Sequence, residues 1–285
     1  MSEIIKEKLL RRLEAITNDF NGVMGISIKD LVSGDEFNIN ENEVFPVASS
    51  IKIPLLMEFF RQVKSGMLDL YSEITIQEGN KTKGSGVLNE LGDGTVTMSL
   101  QDLATLMIIV SDNTATNMLI DKVGMDDVNL LMQNLGLMET KLQRKMQDYQ
   151  AALSGQENIS TPFEFMKLME CLFRKKGLDA WVCEQTLSVL KKPKITAISL
   201  GVPMELEIAN KPGGMIGVSC DAAIIFQPNR PYVIIILTKE ISLSDARKIL
   251  AGKRITEVSS LVYEYFQFES SANVYGMIVP ESELA

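Results

Sequence analysis

Between Glu3 and Phe20 the apolar residues Ile5, Leu9, Leu13, Ile16 and Phe20 return at steps of three or four, which lines one face of a helix, so the chain opens on an amphipathic helix. The period then drops to two. Val23–Asp30 alternates around Ile26 and Ile28, Ser33-Gly34-Asp35 has turn chemistry, and Glu36–Ile39 can return as a second strand, which together predict a hairpin. Ile51–Lys64, Leu100–Val110, Ala115–Val123, Pro162–Arg174 and Asp179–Leu190 read as helices, and Ser99 with Asp102 three places on comes close to a capping box. Strand patterns resume at Glu205–Asn210, Val218–Phe226 and Tyr232–Thr238, a long helix closes over Ser244–Phe266, and residues 270–285 have no clear period.

The order helix, strands, helices, strands, helix predicts an α/β chain of the α+β type. Strands from both ends of the sequence share one antiparallel sheet flanked by the terminal helices, and the helical middle is an inserted lobe. The α/β lobe takes about 1–48 and 196–285 and the helical lobe about 49–195, with a cleft expected between them. No repeat, low-complexity tract or linker divides the chain, so 1–285 is read as a single domain.

Composition removes competing functions. With 285 residues a sizeable core is possible, and no apolar run approaches the ~18 residues of a membrane span. The net charge of -9, with no Lys/Arg stripe to offset it, opposes nucleic acid and anionic membranes as partners. Cys171, Cys183 and Cys220 are an odd, widely spaced set that reads as small buried hydrophobes rather than a disulfide framework or metal site. Histidine is absent, which excludes Ser-His-Asp triads, Cys-His dyads and His-ligated zinc. A nucleophile here must use another base, and no metal or cofactor is called for. The amino terminus lacks the apolar core and cleavage site of a secretory signal, so a cytoplasmic location is expected, with a trimmed secreted form as the alternative; separately, a monomer is expected.

Phe45-Pro-Val-Ala-Ser-Ser-Ile-Lys holds Ser49 and Lys52 at i and i+3 where an apolar helix begins, which stacks hydroxyl and amine on one face beside the unpaired N–H groups of a helix start. For Lys52 to accept the serine proton its pKa must fall well below ~10.4, which burial or a second cation can bring about. Ser-x-x-Lys alone carries little, since about one match is expected by chance in a chain of this size. Ser188 and Lys191 match it too, late in a helix and on a solvated face. Ser49 is distinguished by two companions. Ser111-Asp112-Asn113, after the apolar run Leu103–Val110, offers a hydroxyl to shuttle a proton and a carboxamide to bind an amide. Lys211-Pro212-Gly213-Gly214, ending a strand pattern, offers a cation and small residues against which a substrate can lie. Each taken singly would be a cap or a turn.

In this order the three resemble the Ser-x-x-Lys, Ser-Asp-Asn and Lys-Thr-Gly elements of class A β-lactamases and penicillin-binding proteins, and the likeness extends to Phe45, Gly84-Ser-Gly-Val-Leu, Leu103–Asn117, Gly201-Val-Pro and both terminal helices. The resemblance implies a β-lactamase/transpeptidase-like fold and a small-molecule amide or ester substrate. Ser49 attacks the amide carbonyl, Lys52 relays its proton, Ser111 protonates the leaving nitrogen and an acyl-enzyme forms. Asn113 binds the substrate side-chain amide, Lys211 supports Ser111 and a substrate carboxylate, Gly213 and Gly214 line the binding edge, and the backbone N–H groups of Ser49 and Gly214 form the oxyanion hole. Two positions depart from the pattern. Where the family carries a glutamate that activates the deacylating water, two residues after an arginine, this chain has Met146 after Arg144, which leaves Asp148 and Gln147 as candidate water bases. Pro212 replaces the usual threonine or serine, removing a hydroxyl and an N–H. The expectation is therefore a class A-type serine β-lactamase that opens the cyclic amide, with slow deacylation. Its alternatives are a serine esterase, amidase or peptidase on a non-lactam substrate and a penicillin-binding sensor that stays acylated.

Overall fold

A computed structural model of the chain describes residues 3–244, 250–273 and 275–278. In order the elements are α1 (Glu3–Asn18), β1 (Val23–Asp30), β2 (Glu36–Ile39), β3 (Phe45–Pro46), α2 (Lys52–Lys64), β4 (Glu73–Thr75), β5 (Thr97–Ser99), α3 (Leu100–Ile109), α4 (Asn113–Val123) and α5 (Met125–Asn134). They continue with α6 (Tyr149–Leu153), β6 (Ile159–Ser160), α7 (Pro162–Arg174), α8 (Ala180–Leu190), β7 (Ile208–Met215), β8 (Val218–Ile225), β9 (Tyr232–Lys239) and α9 (Leu250–Ser271). The chain forms two compact units, one of residues 1–45, 161–169 and 195–285, the other of 46–160 and 170–194.

The first unit is built on an antiparallel sheet in the order β2-β1-β9-β8-β7, so strands from the two ends of the chain pair as expected. Its register sets Ile26 against Ile236 and Ile28 against Ile234, with Ala223 against Ile234 on the next strand. Because side chains alternate across a sheet, these residues share one face. Leu9 and Leu13 of α1 and Ile255, Val258, Val262 and Phe266 of α9 bury against that face. Phe266 stacks on Tyr232 with ring centroids 4.1 Å apart. The closing helix runs to Ser271, past the expected Phe266, while residues 245–249 of the expected Ser244–Phe266 helix lie outside the described residues.

The expected lobe boundary needs one correction. Residues 161–169, assigned from sequence to the helical lobe, belong to the sheet unit. Phe163 donates its N–H to the Glu41 carbonyl at 3.0 Å, and Pro162 and Phe45 crowd Gly25 so closely that a Cβ there would lie 2.6 Å from a carbon of each ring. The helical period of 162–174 was legible, but nothing in it shows that its first turns pack on a strand.

The second unit is mainly helical. Here α2 is buried along almost its whole length, Phe59 and Phe60 included, and Phe60 meets Trp181 of α8 edge-on at 6.1 Å. Ser99 caps α3 by accepting the Asp102 N–H at 3.1 Å, and its hydroxyl donates to the Asp102 carboxylate at 2.7 Å, the box-like pairing that the spacing suggested. The pattern missed α5, the short α6 and the ribbon of β4 with β5. Among the described residues no helix is long and apolar enough to cross a membrane. Gly25→Ala overpacks the Phe45–Pro162 contact and is expected to cost about 1–3 kcal/mol of stability, measured by urea unfolding.

Candidate active site

Ser49 lies in a 3-10 turn, Ala48–Ile51, that runs into α2 at Lys52, whose N–H returns to the Ser49 and Ser50 carbonyls. The nucleophile candidate thus stands one turn ahead of the α-helix rather than within it, half-buried, while Lys52 has no exposed surface. A buried ammonium requires oxygen acceptors, and three converge on it. Its Nζ donates to the Ser111 carbonyl at 2.9 Å, the Ser111 hydroxyl at 3.0 Å and the Asn113 side-chain oxygen at 3.2 Å. The Ser-x-x-Lys and Ser-Asp-Asn motifs are therefore one hydrogen-bonded cluster.

The backbone bends to achieve this. Ala48, Ser111 and Gln147 hold φ of 45°, 56° and 65°, the left-handed region that costs a non-glycine residue on the order of 1 kcal/mol. At Ser111 the turn aims carbonyl and hydroxyl at the same amine. Asp112, to which the motif gave no role of its own, fixes the start of α4. Its carboxylate caps the helix by accepting the Ala115 N–H at 2.9 Å, and its other oxygen accepts from Val87 at 2.7 Å and Leu88 at 2.9 Å. Gly86 is required beside it, since a Cβ there would fall 2.2 Å from that oxygen. The Asp112–Ala115 spacing is an N-cap signal that could have found it. Asn113 gives its own amide hydrogens to the Lys83 carbonyl at 3.0 Å, and its backbone N–H to Ser85 at 2.9 Å.

One turn on, Asn117 grips Met146 from both sides, accepting its N–H at 2.8 Å and donating to its carbonyl at 3.1 Å. Residues 143–158 form a loop closed at its base by Arg144, whose guanidinium makes two 2.9 Å bonds to the Glu157 carboxylate. Asn158 accepts the N–H groups of Gln143 and Arg144 at 2.8 and 3.1 Å. Met146 is buried. Of the two candidate water bases, Asp148 is exposed and caps α6 through Ala151 at 3.0 Å. Gln147 accepts from the Tyr149 hydroxyl and turns its amide nitrogen onto Gly84.

In the sheet unit, Lys211-Pro212-Gly213-Gly214 lies within β7 rather than ending a strand, because β7 runs Ile208–Met215 instead of stopping at Asn210. β7 is an edge strand of the sheet, which tolerates a proline without a ladder N–H. Lys211 is buried and donates to the Pro212 carbonyl at 2.9 Å. Gly213 stands opposite Cys220 and Gly214 opposite Ser219 on β8. Burial pushes the Asp221 carboxyl up, against the pull of the Ile198 N–H at 3.0 Å, the Asn210 amide at 3.3 Å and the Lys211 charge. This network ties β7 to β8 beside Lys211. The cysteines are all free thiols, Cys183 and Cys220 buried as expected and Cys171 only half so. Among the described residues no cluster of three or more Cys, Asp or Glu side chains could hold a metal.

The model of the beta-lactamase enzyme family matches residues 8–266. The chain belongs to this family. The β-lactamase SME-1 of Serratia marcescens is 26% identical over 263 residues, covering 89% of this chain and 87% of that one. A crystal structure of the β-lactamase of Sphaerobacter thermophilus superposes with a TM-score of 0.82 at 30% identity, covering 94% of this chain and 98% of that one. A variant of PBP-A, solved as an acyl-enzyme complex with penicillin G, superposes at 0.81 with 27% identity over 92% of this chain and 97% of its own. The β-lactamase/transpeptidase-like fold and the class A, penicillin-binding-protein type of serine hydrolase are thereby those expected from the motifs. In this β-lactamase-family chain Asn117→Ala leaves both polar groups of Met146 without a side-chain partner. It is expected to cost about 1–3 kcal/mol in denaturant unfolding and to open residues 145–156 to limited proteolysis.

Proposed function

We propose that the protein opens β-lactam amides through an acyl-enzyme on Ser49 and releases the product slowly. The observation that carries this is the buried Lys52 ammonium, one turn after Ser49 and bonded to both the Ser111 hydroxyl and the Asn113 amide oxygen, in a chain of this family. Lys52, as the neutral amine left once its ammonium has given a proton to solvent, takes the Ser49 proton as the hydroxyl oxygen bonds to the lactam carbonyl carbon. Ser111 passes a proton to the ring nitrogen as the carbon–nitrogen bond breaks, which leaves the ester on Ser49. The family resemblance is what supports the backbone N–H groups of Ser49 and Gly214 as donors to the carbonyl oxygen as it gains negative charge, and Asn113, Lys211 and Gly213 as substrate-holding residues.

Slow release is supported by what the loop offers to water. Met146 brings no base, the Gln147 amide has no basicity, and Asp148 is engaged as a helix cap. Without an acid/base residue a step loses ~10² to 10⁴ in rate, enough for an acyl-enzyme to accumulate. Pro212 weakens recognition of a substrate carboxylate, so lactam affinity is expected to be modest.

Intact-protein mass spectrometry over time with a penicillin and a chromogenic cephalosporin tests this. An adduct on the wild type that decays slowly as product accumulates is expected, with none on Ser49→Ala. An adduct that never decays identifies a penicillin-binding sensor, and the absence of adduct, with turnover of simple esters, identifies a non-lactam hydrolase. Met146→Glu supplies a carboxylate at the position where the family carries one. It is expected to shorten adduct lifetime by roughly 10- to 100-fold, below the full contribution of a well-placed base.

A further inference from the structure

Gln147 has features that a surface loop residue does not need. It holds a left-handed backbone at φ 65°, and its side chain is exposed yet oriented. The Tyr149 hydroxyl donates to its Oε1, so the oxygen end of the amide is occupied and the nitrogen end faces the other way. That end lies against Gly84, where a Cβ would fall 2.7 Å from Gln147 Nε2 and 2.8 Å from Asn113 Nδ2. Two amide NH₂ groups therefore border the same bare backbone position, and glycine, at φ 97°, is the residue that leaves the space open. Asn113 already spends hydrogens on the Lys83 carbonyl and its oxygen on Lys52. Gln147 Nε2 is turned toward the same position, with two hydrogens to give.

We propose that Gln147 is a specificity-determining residue that donates a hydrogen bond from Nε2 to the acyl carbonyl oxygen of a substrate's acylamino side chain, and that Tyr149 positions it. The preferred substrates are then lactams acylated on their ring amine rather than those with a free amine. This rests on the lactam-acylation reading above, since it concerns the part of the substrate that lies at Asn113. Gln147 has no part in proton transfer.

The test compares rates of acyl-enzyme formation, per concentration of lactam, with benzylpenicillin and with 6-aminopenicillanic acid, which carries a free amine in place of the acylamino group. Gln147→Ala, and Gln147→Asn, which keeps an amide suited to left-handed backbone but withdraws it by one methylene, are each expected to lower the benzylpenicillin to 6-aminopenicillanic acid ratio roughly five- to tenfold, the loss of one hydrogen bond. Tyr149→Phe lowers it in the same direction by less, and the surface control Gln150→Ala keeps the wild-type ratio. If both Gln147 variants stay within about twofold of the wild-type ratio, less than one hydrogen bond would give, the proposal is overturned while lactam acylation stands. If the wild type forms no adduct with either lactam, the acylation reading itself fails and the proposal falls with it.

Discussion

The burial of the Lys52 ammonium is the constraint around which the helical unit is arranged. An amine with no exposed surface is tolerable only where oxygens replace its water, and three do so within 3.2 Å. Two come from a single residue, Ser111, and carbonyl and hydroxyl converge because the backbone there is left-handed. The third comes from Asn113, whose own amide is anchored on the Lys83 carbonyl. Asp112 then locks the 87–88 backbone to the start of α4. Removing any of these would leave a buried charge short of partners, so the solution to a folding problem is also the arrangement that couples an amine to a hydroxyl near the nucleophile. Strain at Ser111 is the local cost, and the hydrogen bonds to a charged donor, each worth about 1.5–3 kcal/mol, offset it.

The loop at 143–158 is held by a second frame. Its base is the paired Arg144 and Glu157 with Asn158 between them, and its middle is gripped by Asn117. The side chains carried on that frame have changed relative to the family pattern. A buried methionine stands where a carboxylate is expected, followed by an amide directed at Gly84 and a carboxylate that caps α6. The anchoring fixes the Met146 backbone and with it the start of the segment that places the Gln147 amide against Gly84.

Much of this was legible in the sequence, and for identifiable reasons. The periods of two and three-to-four located the sheet strands and α1, α2, α3, α4, α7 and α8, because burial on one face imposes them. The three motifs single out Ser49, Lys52, Ser111, Asn113 and Lys211 as candidates, and the structure bonds Lys52, Ser111 and Asn113 into one cluster. Residues 161–169 went to the wrong lobe because a helical period says nothing of its partner, here Gly25 and Phe45. The strand carrying Lys211 was cut short at Asn210, since Pro212 and two glycines read as a stop when the strand is not known to be an edge. Asp148 is a candidate base on its proximity in sequence to Met146, and the sequence does not show that it also caps a helix. Its service as a cap depends on α6, which is five residues long and leaves no periodic trace. Asn117 falls within the family likeness but was given no role, because its partner, the Met146 backbone, is 29 residues away.

The two frames meet on one helix. Asn113 and Asn117 are four residues apart on α4, hence on the same face one turn from each other, and the first serves Lys52 while the second serves Met146. The start of α4, set by the Asp112 cap, therefore registers the acylating cluster and the loop together. This makes the consequences of change asymmetric. A shift of α4 moves both frames, so it affects acylation and loop alike. A substitution of the exposed Gln147 side chain alters what the loop presents while Asn117 keeps its hold on the Met146 backbone, whereas the Asp148 side chain also caps α6. The cluster around Lys52 and the loop backbone at Met146 thus depend on one helix for their placement, through two different side chains a turn apart.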